Sequence, residues 1–243
     1  MNESLISSLK KLRLSGMIQE LERQSKDPAT DSLTVEERLE YMVMAEKNLR
    51  ESRKFQKNLK LSNLRIPEAV LDESIDEPDR KLDSNLLRET AKCEWVRKGE
   101  NLILAGMTGA GKTYYANVLG VSALNKHLSV RYFKCHELIH QLERWIAKNE
   151  LGKNLQDLIR TDLLILDDFG MMELDPRLCR IMFEIIDSRD SILSTMIVTQ
   201  MEKGELYESF QDKRYGEAII SRLYNHARQI EFIGKDMRRP LAV

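Results

Sequence analysis

The sequence has few cysteines, no long hydrophobic run and almost no net charge. Its 243 residues include 3 cysteines, and Cys93, Cys135 and Cys179 lie far apart and form no C-x-x-C pair. This number and spacing argue against a disulfide framework or a thiolate zinc site and indicate a reducing compartment. No run of about 18 apolar residues is present that would span a bilayer, and the N-terminus lacks the apolar core of a signal peptide. We therefore expect a cytoplasmic protein without membrane contact.

The near-zero net charge excludes polyanion binding through the overall charge of the chain. The net charge is −1, from 38 basic and 39 acidic residues, so such binding must come from a local patch. Hydrophobic residues make up 42% of the chain, which is enough for a sizeable core. The length predicts one large domain, or a domain with a smaller appendage.

Two predicted helices open the chain. Leucine and isoleucine recur at roughly helical spacing in residues 3–24, and the segment KDPATDS then interrupts the pattern. Thr34 and Glu37 have the spacing of a capping box, and an apolar stripe continues after them. We therefore predict a small all-helical N-terminal domain over residues 1–65.

The second half of the second predicted helix is strongly basic. Its lysines and arginines recur at roughly helical spacing: Lys47, Arg50, Arg53, Lys54, Lys57 and Lys60. These side chains could neutralise several phosphates and so give salt-sensitive, sequence-independent DNA binding. The alternative is a solvated helix end, stabilised by the helix dipole. Phe55 is the only aromatic residue in this stretch, so the pattern does not indicate a specialised single-strand binder.

The pattern changes after the acidic, proline-containing residues 66–83, which we interpret as a linker. Short apolar runs then alternate with helical segments, and the runs are NLILAG, SVRYFKC, DLLILDD, TMIVTQ and QIEFIG. This alternation predicts an α/β domain over residues 84–243, with a mostly parallel sheet flanked by helices.

Two short patterns in this part of the chain suggest different chemistry. HELIH, from His136 to His140, has the spacing with which a helix offers two imidazoles to zinc. GMTGAGKT, at 106–113, has the pattern of a phosphate-binding loop, and it lies between an apolar run and a helical segment, as such a loop requires. HELIH has no recognisable third zinc ligand. We therefore interpret it as the start of an amphipathic helix that buries Leu138, Leu142 and Trp145.

The glycine loop predicts a site for ATP and Mg²⁺. Backbone N–H groups and the helix N-terminus would surround the phosphates, while Lys112 would reach the β- and γ-phosphates and the Thr113 hydroxyl would ligate Mg²⁺. The predicted nucleotide contacts are Gly106, Met107, Thr108, Gly109, Ala110, Gly111, Lys112, Thr113 and Tyr114.

The apolar run DLLILDD ends in two carboxylates, which is the form of a Walker B strand. Asp167 would hold Mg²⁺, and Asp168 would polarise the attacking water. Together with Lys112, these residues predict ATP hydrolysis.

With both elements present, the chain resembles the IstB-type transposition helper ATPases, in the AAA+ group that includes the DnaC-type helicase loaders. The resemblance covers nearly the whole chain. Four segments carry it most strongly: KLDSNLLRETAKCEWVRKGENLILAGMTGAGKTYYANVLG, TDLLILDDFGMMELDP, RDSILSTMIVTQ and EAIISRLYNHARQIEFIGKDMRR. It implies an AAA+ P-loop NTPase fold behind the helical N-terminal domain.

The resemblance also implies roles for individual residues. Gln200, after Thr199, resembles the sensor residue that contacts the γ-phosphate. Arg222 resembles the arginine finger that one subunit offers to its neighbour's nucleotide, and Arg238 resembles a C-terminal arginine that contacts nucleotide. Trp95 and Val96 precede the first strand, where related proteins often contact adenine.

The chain departs from the family pattern in three respects, of which Met107 in place of a loop proline has little consequence for phosphate binding. Asp168 stands where many AAA+ ATPases have glutamate, so we expect slow hydrolysis. Few residues follow Arg222, so we expect the C-terminal helical lid to be absent or rudimentary, with closure supplied by a neighbouring subunit.

The implied function is an ATP-dependent DNA-binding protein that assembles as a homo-oligomer on duplex DNA and recruits or regulates a transposase. One alternative is a DnaC-like loader of a replicative helicase. Another is a nucleotide-dependent DNA scaffold with negligible turnover, and a third is a zinc peptidase based on HELIH.

Overall fold

The structure is a computed structural model that describes residues 3–71 and 83–233. The chain forms two compact units, Met1–Lys57 and Asn58–Val243. The domain limits 1–65, 66–83 and 84–243 remain a prediction.

The first unit is built from helices, as predicted. It contains a short 3-10 helix at Pro28–Ser32 and the α-helices α1 (Glu3–Lys11), α2 (Ser15–Gln24) and α3 (Val35–Ser62), the last of which continues into the second unit. The predicted capping box starts α3. The N–H of Glu37 donates to the Thr34 hydroxyl over 3.2 Å, and the N–H of Thr34 donates to the Glu37 carboxylate over 2.7 Å. These bonds satisfy N–H groups that a helix N-terminus otherwise leaves unpaired.

Helix α2 lies directly against the backbone of α3. A Cβ atom added at Gly16 would lie 2.5 Å from the Cα of Glu46, so only glycine allows this approach. The buried Glu46 carboxylate accepts a 2.6 Å hydrogen bond from the N–H of Gly16 and another of 2.6 Å from Arg50 Nε. Burial alone would raise the pKa of Glu46, but these bonds and one from the N–H of Met17 lower it below its ordinary value.

The second unit contains a five-stranded parallel sheet with the strand order β2-β3-β4-β1-β5. The strands are β1 (Leu102–Gly106), β2 (Val130–Lys134), β3 (Leu163–Asp167), β4 (Ser194–Val198) and β5 (Arg228–Phe232). The helices are α4 (Ser84–Thr90), α5 (Glu94–Arg97), α6 (Lys112–Asn125), α7 (Cys135–Ala147), α8 (Leu151–Ile159), α9 (Pro176–Arg189), α10 (Lys203–Leu206) and α11 (Lys213–Tyr224), with a 3-10 turn at Tyr207–Ser209. All residues of β3 and β4 are buried, as expected for strands covered on both faces. The predicted α/β class and parallel sheet are confirmed.

Residues 58–71 pack on α6 of the same unit. The Leu64 side chain approaches Gly120 so closely that a Cβ there would lie 2.6 Å from it. The N–H of Ile66 donates to the buried side chain of Asn117 over 3.0 Å, and the Tyr114 hydroxyl donates to the carbonyl of Val70 over 3.0 Å. This segment therefore covers the helix that follows the glycine loop.

Among the residues described, no helix is long and apolar enough to cross a membrane. The expectation about a C-terminal lid falls on residues 234–243, which lie outside the described part of the chain.

Candidate functional site

The glycine loop connects β1 to α6, in the strand–loop–helix arrangement that the sequence predicts. Gly106 has φ +133° and lies against the carbonyl oxygen of Phe232 on β5, where a Cβ would collide with it. Gly111 has φ +94° and no atom within 4 Å of its Cβ position, so here glycine serves the backbone conformation. The loop therefore brings its backbone to the N-terminus of α6, where N–H groups and the helix dipole favour anions.

Lys112 is the first residue of α6, and its side chain folds back over the loop. Its Nζ donates to the carbonyls of Gly106 over 2.6 Å and of Met107 over 2.7 Å. Burial lowers the pKa of Lys112, and the nearby carboxylates of Asp167 and Asp168 partly offset that effect. The ammonium group is thus held inside the loop, at the position from which it would meet phosphate oxygens.

Asp167 ends β3 and is fully buried. Its Oδ1 accepts a 2.8 Å hydrogen bond from the N–H of Asp168, and its Oδ2 accepts a 2.5 Å bond from the Tyr132 hydroxyl. In the described part of the chain no basic side chain forms an ion pair with this carboxylate; the nearby Lys134 pairs with Asp168 instead. A buried carboxylate without a counter-charge is costly, and its oxygens are ligands that Mg²⁺ prefers. The carboxylate of Asp167 fits the predicted metal, and Thr113, the other predicted ligand, is a half-buried residue in the first turn of α6.

Asp168 follows β3 with φ +55°, a left-handed conformation that aspartate tolerates better than most residues. Its Oδ2 accepts a 2.5 Å bond from Lys134 Nζ at the end of β2.

Burial and the neighbouring Asp167 raise the pKa of Tyr132, so this phenol keeps its proton and donates to Asp167. Lys134 and Tyr132 were not among the predicted site residues. Their only sequence signal is that they belong to the strand before the Walker B strand.

Gln200 lies between the glycine loop and the segment that follows β3. Its side-chain oxygen accepts a hydrogen bond from the Thr108 hydroxyl in the glycine loop, and its Nε2 lies 3.7 Å from Met171 Sδ, beyond β3. Thr199 donates through its backbone N–H to Leu104 of β1 and through its hydroxyl to Phe169, both over 2.9 Å. The structure thus brings Gln200 together with the glycine loop.

Arg222, the predicted arginine finger, lies away from the glycine loop of its own chain. Its guanidinium forms a 2.7 Å ion pair with Asp187 and lies 4.7 Å from the ring centroid of Phe183. Its carbonyl accepts a bond from Asn101, the residue before β1. That position is at the edge of the sheet opposite the glycine loop, so Arg222 does not belong to the same site within one chain.

The structure places Trp95 and Val96, the predicted adenine contacts, away from the glycine loop. Both residues are buried, and their carbonyls face the hydroxyl of Ser194, the first residue of β4. Ser194 marks the amino ends of the parallel strands. The glycine loop lies at the opposite side of the sheet, where the strands have their carboxyl ends. Arg238, predicted to contact nucleotide, lies outside the described residues.

The six basic residues at 47–60 are all exposed and belong to α3. Their spacing places them on one side of the helix. Arg50 also pairs with Glu46 over 2.6 Å. The structure therefore supports one basic side on α3, while its ligand remains a prediction.

HELIH lies in the first turns of α7, and this helix buries Leu138, Ile139 and Leu142. The imidazoles of His136 and His140 are on the exposed side, where His140 Nδ1 lies 3.3 Å from Glu143. In residues 3–71 and 83–233 no group of three His, Cys, Asp or Glu side chains could hold a metal ion. The geometry agrees with the amphipathic-helix interpretation.

Comparison with known proteins gives a consistent picture. The sequence profile of the family described as "IstB-like ATP binding protein" matches residues 7–241. One relative is the "Insertion sequence IS1162 putative ATP-binding protein" of Pseudomonas fluorescens. It is 34% identical over 201 residues, which are 83% of this chain and 87% of the relative. The similarly named y4uH of Sinorhizobium fredii is 30% identical over 234 residues, or 96% of this chain and 94% of the relative. The crystal structure of the DnaC helicase loader superposes with a TM-score of 0.55 at 21% identity, over 73% of this chain and 99% of that chain.

Proposed function

Since the chain belongs to the family of IstB-like ATP binding proteins, we propose that it is a Mg²⁺-dependent ATPase whose ATP-bound form assembles on duplex DNA and recruits or regulates a transposase. The observation that carries the ATPase part is the arrangement at one end of the sheet. There the glycine loop, Lys112, Asp167, Asp168 and Gln200 converge.

The residues divide the chemistry between them. The loop N–H groups and Lys112 would bind the phosphates, and Asp167 with Thr113 would hold Mg²⁺, which supplies charge neutralisation on the phosphates when bound. Asp168 would accept a proton from the attacking water. Because its side chain is one methylene shorter than glutamate, and because it is paired with Lys134, we expect slow hydrolysis.

The position of Arg222 supports assembly into an oligomer. This arginine lies at the sheet edge opposite the glycine loop of its own chain, so it would reach a nucleotide only in a second copy. A stabilising cation from a neighbour would make both ATP binding and hydrolysis depend on assembly. We therefore propose a homo-oligomer with nucleotide at the subunit interfaces.

The DNA and transposase parts rest on α3 and on the relatives. One side of α3 carries exposed basic residues whose spacing suits contacts with successive phosphates. The relatives at 30% and 34% identity are named for insertion sequences, and an insertion sequence requires a transposase. The helical N-terminal residues would supply the surface for that partner.

Sizing the protein by light scattering, with duplex DNA and either ATP or ADP, tests this function. We expect a large complex with ATP and a small one with ADP, and Lys112→Ala should remain small in both cases. Asp168→Asn should abolish turnover and keep the ATP-dependent complex. If ATP changes neither the size nor the DNA affinity of the wild-type protein, the proposed function is incorrect.

The basic side of α3 has its own test. Replacing Lys54 and Lys57 together by glutamine should weaken duplex binding for all sequences alike and lower the salt dependence by roughly one unit for each phosphate that is no longer neutralised. Lys153→Gln, at an exposed position of α8, is the matched control and should change neither quantity. An unchanged salt dependence in the double variant would exclude α3 as the DNA-binding element.

A further inference from the structure

We infer that Tyr132 is a positioning residue for the metal site: its hydroxyl orients the Asp167 carboxylate and so sets the Mg²⁺ concentration that ATP binding requires. This inference rests on the proposed ATP and Mg²⁺ binding. It concerns a side chain that the sequence motifs do not include.

The contact follows from the pairing of two strands. Tyr132 of β2 lies in register with Ile165 of β3, two residues before Asp167. Side chains two residues apart on a strand point to the same face, so the long phenol ring reaches along that face to the carboxylate. The hydroxyl lies 2.5 Å from Oδ2, and the Tyr132 side chain is 1% exposed.

The two oxygens of Asp167 are held by different donors. Tyr132 donates to Oδ2, and the N–H of Asp168 donates to Oδ1. The terminal torsion of an aspartate is otherwise broad, so one hydrogen bond to each oxygen fixes the plane of this carboxylate. Each oxygen keeps a lone pair for a further ligand. These two hydrogen bonds therefore orient the carboxylate.

Packing alone does not account for a tyrosine at this position. A phenylalanine would fill the same apolar volume, whereas a buried hydroxyl is costly unless it forms a hydrogen bond. The bond formed here is to the one carboxylate that the Walker B strand would present to the metal. Groups that hydrogen-bond to metal-binding carboxylates fix their orientation, and their loss typically weakens metal affinity by about 10- to 100-fold.

The test measures binding of a fluorescent ATP analogue by full-length protein over a series of free Mg²⁺ concentrations. Tyr132→Phe should need about tenfold more Mg²⁺ than the wild type for half-maximal binding. Its affinity for the analogue in EDTA should be unchanged. Tyr132→Met serves the same purpose if the phenylalanine variant does not fold, since methionine adapts to irregular buried space.

The matched control is Tyr115→Phe. Tyr115 is also buried, at 3% exposure, but its hydroxyl donates to the backbone carbonyl of Leu87 over 2.7 Å. This variant loses a comparable buried hydrogen bond, so it should lose similar stability and keep the Mg²⁺ requirement of the wild type.

Two outcomes would overturn the inference, and they can be distinguished. If the wild type binds the analogue with Mg²⁺ and Tyr132→Phe needs the same Mg²⁺ within twofold, Tyr132 does not position the carboxylate. If Tyr115→Phe raises the Mg²⁺ requirement by the same factor, the increase does not depend on the contact with Asp167, and the inference is also wrong. If the wild type shows no Mg²⁺-dependent binding at all, the proposed function fails together with the inference.

Discussion

Lys134 Nζ lies 2.5 Å from Asp168 Oδ2, and this ion pair joins the end of β2 to the residue that would activate water. Both side chains are about a quarter exposed, at 23% and 25%. The pair holds the carboxylate and neutralises part of its negative charge. It therefore occupies one oxygen of the carboxylate that would contact the attacking water.

Removing this lysine should raise basal hydrolysis. We expect Lys134→Met to increase the turnover number without DNA by up to about fivefold, because a partly exposed pair is worth at most about 1 kcal/mol. Steady-state phosphate release measures the effect, and Lys148→Met, on the residue after α7, is a control at an exposed position. A fall in turnover would mean that Lys134 orients Asp168 productively.

Lys112→Met should abolish tight ATP binding without loss of stability. The ammonium group is bonded to loop carbonyls, and burial already lowers its pKa, so an apolar side chain of similar length costs the fold little. Without a charged donor to the phosphates, ATP affinity should fall by roughly 10- to 100-fold. Calorimetric titration and thermal denaturation of the same samples check both statements. A large drop in melting temperature would show that the lysine has a structural role.

Two glycine substitutions should have opposite effects on stability. Gly16→Ala places a Cβ against the backbone of α3 and should destabilise the protein by about 1–3 kcal/mol, the usual cost of overpacking. Gly152→Ala, on α8 with no atom within 4 Å of the added Cβ, should stabilise it by about 0.5–1 kcal/mol. Urea denaturation followed by circular dichroism measures both. Equal effects would mean that α2 does not approach α3 as described.

Glu46 should give the protein a stability term that depends on pH. Its pKa is lowered below 4.5 in the folded protein, so the ionised carboxylate stabilises the fold above the unfolded pKa, and this contribution is lost as pH falls through the folded pKa. We expect the stability difference between wild type and Glu46→Gln to be constant near pH 6 and to shrink below about pH 4.5. Thermal denaturation of both proteins at several pH values measures it. Glu40→Gln, at an exposed position of α3, is the control for the loss of one acidic side chain from this helix.

The two histidines of HELIH should be dispensable. Because His136 and His140 lie on the exposed side of α7, replacing both by alanine should leave ATP binding and Mg²⁺-dependent hydrolysis nearly unchanged. Nucleotide titration and phosphate release test this, together with metal analysis of the purified wild type. Stoichiometric zinc that disappears in the double variant would restore the peptidase hypothesis.

The sequence was sufficient for features that are local in the chain. The strands, the glycine loop and the acidic end of β3 each consist of consecutive residues, and their periodicity and turn chemistry are visible without a fold. The buried side of α7 was predicted for the same reason. The structure confirms the elements, although the roles of individual site residues remain predictions.

Contacts between distant residues could not be predicted in this way. The sequence does not show which strands are neighbours, so the pairing of β2 with β3, and with it Lys134 and Tyr132, was missed. Arg189 has the position of an ordinary arginine at a helix end. In the fold it is 1% exposed, and its guanidinium donates to the carbonyls of Leu158, Thr161 and Ser194. The packing of residues 58–71 on α6 likewise depends on tertiary structure.

The strand order has a consequence for charge. Lys112 follows β1 and Asp167 ends β3, and β4 lies between these two strands, so two inter-strand spacings, or roughly 10 Å, separate them at the backbone. Were β1 and β3 adjacent, the ammonium and the carboxylate would lie one spacing apart and could neutralise each other. The intervening strand keeps one positive and one negative group apart on the same sheet edge. A ligand that carries both signs, such as a polyphosphate with its cation, satisfies both groups at once, whereas a simple anion or cation satisfies only one.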